Sequence, residues 1–197
     1  MKCTLIIDKS GSMIIRDQKN GRSRWEACRE ATIALAYKCE EHDPDGMTLY
    51  LFSGRFKRFE KVTAARVHEI YDDNEPGGGT DLAEVLSDTF GFIQERRKDQ
   101  GDNPEAELVL VVTDGEPDDH ASVVDLIKDM STKVASQMEL AISFIQVGND
   151  PSATEFLRAL DDDLVAAGAA HDIVDTVTLE EMEEYSLTQI LEKAFID

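Results

Sequence analysis

The chain has 197 residues, three cysteines and a formal net charge of −21. This length suits one domain with an ordinary core, and no run of about 18–20 apolar residues is present that would span a bilayer. The acidic balance disfavours nucleic acids and anionic membranes as partners, because their phosphates would be repelled.

The N-terminal segment is a short apolar run that ends abruptly in polar residues. Residues 3–7 resemble a buried strand, and Asp8-Lys9-Ser10-Gly11-Ser12 follows them at once. Met1-Lys2 leads directly into this strand without a signal peptide, so we expect a cytoplasmic protein. The cysteines show no Cys-x-x-Cys spacing, and Cys28 and Cys39 are predicted to be core residues.

A helix and a hairpin come next. From Trp25 onward, apolar side chains recur at helical spacing as far as Cys39, after a polar loop over residues 16–24. Turn residues at positions 43–46 end this helix. Two strands of a hairpin are predicted after it, over Met47–Phe52 and Phe56–Val62.

The following segment combines a glycine-rich loop with an amphipathic helix. After a short helix over residues 64–71, residues 72–79 form a polar loop that ends in three glycines. A longer helix begins at about Asp81, and Thr80 is predicted to be its N-cap. The apolar stripe of this helix consists of Leu82, Val85, Leu86, Thr89 and Ile93.

The rest of the chain alternates buried strands with amphipathic helices. Strands are predicted over residues 108–113, 140–147 and 172–177, and the first of them leads into Thr113-Asp114-Gly115. Asp118-Asp119-His120 is predicted to be solvated, with binding of a second ion as the alternative. The helices are marked by three apolar sets: Val123, Ile127, Met130 and Val134; Phe156, Leu157 and Leu160; and Leu187, Ile190, Leu191, Ala194 and Phe195.

This alternation predicts an α/β fold with a doubly wound, Rossmann-like, mostly parallel sheet, one antiparallel edge strand and helices on both faces. We expect residues 1–197 to form a single domain. Ligands of such sheets bind outside the carboxyl ends of the strands. Asp8 and Asp114 lie at two such ends, so their carboxylates converge with the Thr80 loop if the two strands are neighbours.

Five side chains near these strand ends offer oxygen ligands: Asp8, Ser10, Ser12, Thr80 and Asp114. Oxygen is the ligand that Mg²⁺ and other hard divalent cations prefer. The three hydroxyls contribute lone pairs without charge, while the two carboxylates supply balancing charge from nearby. Each residue taken singly also fits a cap or a turn, but the five together favour a metal site.

The order Asp-x-Ser-x-Ser, Gly-Gly-Thr-Asp and Val-Val-Thr-Asp-Gly resembles the metal-ion-dependent adhesion site of the von Willebrand factor A (VWA) family. All five ligand positions are filled, and the order of elements fits over essentially the whole chain. The resemblance implies that Ser10, Ser12 and Thr80 bind Mg²⁺ directly, with Mn²⁺ or Ca²⁺ as alternatives. It also implies that Asp8 and Asp114 act mainly through water.

The same resemblance implies a function. The chain is expected to be a stand-alone intracellular module, and not an enzyme, whose metal captures an Asp or Glu side chain of a protein partner. An adaptor or assembly factor that is monomeric fits this description, and the partner is not identified by the sequence.

Two other functions are compatible with part of the pattern. A metal-dependent phosphohydrolase of haloacid-dehalogenase type also has an Asp after its first strand and would use Asp8 as its nucleophile. Such an enzyme needs an acid/base Asp two residues later, where this chain has Ser10, whose hydroxyl does not shuttle a proton near neutral pH. The other alternative is a structural α/β subunit with a degenerate site.

Overall fold

A computed structural model describes residues 1–101 and 104–184. The strands are β1 (Lys2–Asp8), β2 (Met47–Phe52), β3 (Phe56–Val62), β4 (Glu107–Thr113), β5 (Leu140–Gln146) and β6 (Val174–Thr178). The helices are α1 (Arg24–His42), α2 (Ala64–Asp72), α3 (Leu82–Gln100), α4 (His120–Ser131), α5 (Pro151–Asp162) and α6 (Leu179–Glu184). The predicted helix with Leu187, Ile190, Leu191, Ala194 and Phe195 lies outside the described residues.

The strands form one six-stranded sheet in the order β3-β2-β1-β4-β5-β6. Every neighbouring pair is parallel except β2 and β3, which form an antiparallel hairpin at one edge. Helical crossovers return the chain between parallel strands, so the predicted α/β fold with one antiparallel edge strand is confirmed.

Helices cover both faces of the sheet and create two apolar cores. Side chains of α1, α2 and α6 pack on one face, and side chains of α3, α4 and α5 pack on the other. Every residue of β4 and of β5 is buried, which explains why these central strands are almost continuously apolar. Cys28 and Cys39 are buried free thiols, as predicted.

The N-terminus of α3 differs from the prediction. Asp81 is the N-cap residue, and its carboxylate accepts a hydrogen bond from the backbone N–H of Glu84. Thr80 does not serve as the cap because its backbone N–H and C=O are hydrogen-bonded to Asp118, which precedes α4. The prediction of Thr80 as the N-cap was therefore wrong.

Smaller differences concern the ends of other elements. The helix α4 ends at Ser131, so Val134 lies beyond it, although the Val134 side chain is buried in the same core. The described part of α6, Leu179–Glu184, lies where no helix was predicted. Every helix among the described residues is too short or too polar to cross a membrane.

Candidate metal centre

The two predicted carboxylates lie at the same edge of the sheet. Asp8 is the last residue of β1, and Asp114 directly follows β4. The strands β1 and β4 are parallel neighbours in which Ile7 pairs with Val112. Their carboxyl ends therefore bring together two residues that are 106 positions apart in the sequence.

Asp8 is completely buried, and both of its carboxylate oxygens accept hydrogen bonds. The backbone N–H of Ser10 donates to Oδ1 at 2.7 Å, and the hydroxyl of Thr113 donates to Oδ2 at 2.7 Å. Burial raises the pKa of Asp8 to about 6, and the nearby Asp114 charge adds to this, although the two hydrogen bonds act in the opposite direction. A positive charge at this place would therefore stabilise the ionised form.

The hydroxyls of Ser10 and Ser12 continue the cluster toward Asp114. The two Oγ atoms are 3.0 Å apart, and the Ser12 hydroxyl donates to Asp114 Oδ1 at 2.8 Å. Adjacent ligands of an octahedral Mg²⁺ ion, with bonds of about 2.0–2.1 Å, lie about 2.9 Å from one another. The spacing of these oxygens therefore fits a hard divalent cation.

A buried arginine that the sequence did not indicate also reaches the cluster. Arg24, the first residue of α1, donates from Nη1 to Asp114 Oδ2 at 2.9 Å and from Nη2 to Asp17 Oδ2 at 2.6 Å. Each of the two Asp114 oxygens thus has a separate donor. No motif marks Arg24, because the distance to Asp114 is set by the packing of α1 against the sheet.

The loop that bears Thr80 is attached to the serine loop through the backbone. The N–H of Gly11 donates to the Gly78 carbonyl at 3.1 Å, and the N–H of Gly77 donates to the Lys9 carbonyl at 2.7 Å. None of the hydrogen bonds among the described residues joins the Thr80 hydroxyl to the other four side chains. The structure thus brings Asp8, Ser10, Ser12 and Asp114 into one connected group and places Thr80 on an adjoining loop.

Asp118 holds the backbone of Thr80 from the opposite side. Its carboxylate accepts from the Thr80 N–H at 3.1 Å, and its own N–H donates to the Thr80 carbonyl at 3.0 Å. The side chain is exposed, as predicted for this acidic turn, but it is also hydrogen-bonded. A Cβ at Gly79 would come within 3.0 Å of Asp118 Oδ2, so glycine at this position allows the close approach.

We expect Asp118→Ala to weaken binding of Mn²⁺ about tenfold if Thr80 is a ligand, since outer partners of metal ligands typically contribute roughly 10–100-fold. Isothermal titration would measure this affinity. The control is Asp119→Asn, which removes the adjacent charge but keeps an N-cap residue for α4. Unchanged affinity in Asp118→Ala would argue against a role for the Thr80 loop.

The chemistry of this donor set differs from that of common protein metal sites. Among residues 1–101 and 104–184, no group of three or more His, Cys, Asp or Glu side chains is arranged to hold a metal. Two carboxylates and neutral hydroxyls form the cluster instead. Such a set suits a hard cation that retains water or other outside oxygen ligands.

Comparisons with known proteins establish the fold. No protein-family model matches the chain, and no curated protein matches it. The SpRpn10 VWA domain is similar at 17% identity with a TM-score of 0.62, over 94% of this chain and 95% of that domain.

Two further solved structures are similar to this chain in fold. A mutant of the PilB minor pilin from Streptococcus sanguinis is 14% identical with a TM-score of 0.65, over 97% of this chain and 60% of that protein. The manganese-loaded TRAP protein of Plasmodium vivax is 16% identical with a TM-score of 0.61, over 99% of this chain and 72% of that protein. The α/β fold of this chain is therefore the VWA fold.

Proposed function

We propose that this chain is a metal-dependent protein-binding module, in which a divalent cation at the β1–β4 edge captures an acidic side chain of a partner. One observation carries the proposal. The oxygens of Ser10, Ser12 and Asp114 follow one another at 3.0 and 2.8 Å, beside the buried carboxylate of Asp8.

The residues of the cluster have distinct roles in this proposal. Ser10, Ser12 and Thr80 offer neutral oxygens as direct ligands, and Asp8 and Asp114 act mainly through water. When bound, the cation supplies a coordination position that accepts an outside carboxylate. We propose Mg²⁺ as the resident ion, with Mn²⁺ and Ca²⁺ as alternatives, and the manganese in the solved TRAP structure supports a divalent metal on this fold.

The surface beside the cluster suits a protein partner. Ile14 and Ile15, which follow the second serine, are 62% and 44% exposed. Adjacent exposed isoleucines at the rim of a polar site provide apolar area for contact with a protein. The role of adaptor or assembly factor, the cytoplasmic location and the monomeric state belong to the same proposal and rest on the sequence.

The phosphohydrolase alternative finds little support in the geometry. A nucleophilic carboxylate must reach its substrate, whereas Asp8 is fully buried and both of its oxygens are occupied by hydrogen bonds. Ser10, at the position of the required acid/base, lies against Ser12 and offers no group that titrates near pH 7. We therefore propose that the chain is not an enzyme.

The test is capture of partners from a cell extract by the immobilised protein, in Mg²⁺ and in EDTA. We expect specific proteins to be retained in Mg²⁺ and lost in EDTA, and to be released by free glutamate. Ile14→Ser should reduce their retention while leaving the metal-dependent rise in melting temperature intact. Partners that are retained equally in Mg²⁺ and EDTA would contradict the proposed metal-dependent capture.

A further inference from the structure

Arg24 places a permanent positive charge beside the proposed metal ligands. Its guanidinium is almost completely buried and forms ion pairs with Asp17 and Asp114, at 2.6 and 2.9 Å. These partners, Asp17 foremost, raise the pKa of Arg24 above its usual range, although an arginine is already charged throughout the physiological range. Whatever occupies the cluster therefore experiences this charge.

The surrounding backbone fixes the guanidinium in place. The N–H of Arg24 donates to the Ile15 carbonyl at 2.9 Å, which ties the start of α1 to the end of the serine loop. On the other side, a Cβ at Gly148 would lie 2.8 Å from Arg24 Nε. Gly148 also has φ +80°, a conformation that favours glycine, so the side chain lies directly against this backbone.

The position of Arg24 has two consequences for the cluster. First, it binds Asp114 Oδ2 and leaves Oδ1 directed at Ser12, which fixes the orientation of the carboxylate. Second, it offsets part of the negative charge that Asp8 and Asp114 supply. Its other partner, Asp17, is 29% exposed, so solvent screens the Asp17 charge more than it screens the buried Asp114 charge. A divalent cation in the site would then be neutralised only in part, and buried charges interact more strongly than exposed ones.

We propose that Arg24 is a positioning residue that sets the net charge of the metal centre. It lowers the affinity of the site for the cation and raises the affinity of the bound cation for an outside carboxylate. This inference rests on the proposed function and adds to it the reason why an anionic partner is bound. If the role of Arg24 were only structural, its ion pair with Asp17 would hold the loop at Asp17 against α1 and would not affect the metal.

The experiment compares Arg24→Gln, which is neutral, with Arg24→Lys, which keeps the charge. Isothermal titration with Mn²⁺ gives the metal affinity, and circular dichroism verifies the fold. We expect Arg24→Gln to bind Mn²⁺ at least about tenfold more tightly than the wild type, and Arg24→Lys to stay within about threefold. Asp17→Asn, which removes the outer partner but keeps the cation, should also stay within about threefold.

Acetate serves as the probe for the outside carboxylate. Added to the Mn²⁺-loaded proteins and followed by the proton relaxation of water on Mn²⁺, acetate should bind several-fold more weakly to Arg24→Gln than to the wild type. If Arg24→Gln does not fold, Arg24→Met, which is also neutral but has no polar group to bury, replaces it in both titrations with the same expected results.

The outcomes separate this inference from the function on which it rests. A wild-type protein that binds no Mn²⁺ would overturn both. A wild type that binds Mn²⁺, with a folded Arg24→Gln that binds it equally or more weakly, would overturn only the role of Arg24. Equal effects of Asp17→Asn and Arg24→Gln would indicate a structural ion pair instead.

Discussion

Asp8→Asn is expected to raise the melting temperature of the metal-free protein at pH 7.5 and to abolish its stabilisation by Mg²⁺. Burial raises the pKa of Asp8 from 3.8 to about 6, so folding must bury a charge that costs about 2–3 kcal/mol at this pH. Asparagine has the same shape and no charge. The amide of the new side chain can donate to the Thr113 hydroxyl. That hydroxyl can then donate to the Gly115 carbonyl, which lies 3.4 Å away.

The contribution of Asp8 to the free energy of unfolding depends on pH, and the direction of this dependence follows from the two pKa values. In EDTA, the unfolded chain loses the Asp8 proton near pH 4 and the folded protein loses it near pH 6, so the free energy of unfolding falls as the pH rises through this range. Asp8→Asn lacks this contribution. The difference in melting temperature between the variant and the wild type should therefore grow from about zero at pH 4 to about 5–10 °C above pH 6.5.

Addition of Mg²⁺ should remove the difference in melting temperature between the two proteins. At a concentration about 100 times the dissociation constant, a bound ligand contributes about 2.7 kcal/mol to stability, which is also about 5–10 °C for a chain of this size. Only the wild type should show this gain. A lower melting temperature of Asp8→Asn in EDTA, or an equal gain in both proteins, would contradict the proposed role of Asp8.

The double variant Ser10→Ala/Ser12→Ala is expected to lose at least about a hundredfold in affinity for Mg²⁺ or Mn²⁺. It removes two proposed direct ligands, and the loss should exceed the roughly 10–100-fold typical of outer partners. The two Oγ atoms lie 3.0 Å apart, and the Ser12 Oγ lies 2.8 Å from Asp114 Oδ1. Titration calorimetry with Mn²⁺ and thermal unfolding with and without Mg²⁺ would measure the effect.

Ser143→Ala is the matched control for this double variant. Ser143 lies on the central strand β5, and its buried Oγ has no hydrogen-bond partner among the described residues. Replacing an unsatisfied buried hydroxyl by a methyl group should leave stability unchanged or raise it slightly, and metal affinity should not change. A double serine variant that binds Mn²⁺ like Ser143→Ala would refute the assignment of the two serines as ligands.

The sequence predicted the strands well because they carry a local signal. Met47–Phe52 and Phe56–Val62 were predicted with the bounds that the structure has, since a hairpin joins neighbours in the chain and polar turn residues mark its ends. The central strand that leads into Asp114 was identified by its continuous run of branched apolar residues. Residues that follow such strands lie at the carboxyl edge, so the approximate position of the oxygen cluster around Asp8 and Asp114 followed as well.

Features that depend on contact between distant segments were not predictable in this way. The sequence did not indicate that Asp118 would bind the Thr80 backbone, which left Asp81 as the cap of α3. Both features depend on which loops meet in space, and hydrophobic periodicity reports only the face that a segment buries.

By itself, then, the sequence determined the α/β alternation, the four oxygen-bearing residues at or just after two predicted strands, and Thr80 on a glycine-rich loop. The tertiary structure decided that β1 and β4 are neighbours and that Ser12 lies within 2.8 Å of Asp114. It also decided that Arg24 donates to the same carboxylate across 90 positions of sequence. The physical reason is that strand order and ion pairing between elements are fixed by packing of the whole domain, for which no local pattern of residues is a substitute.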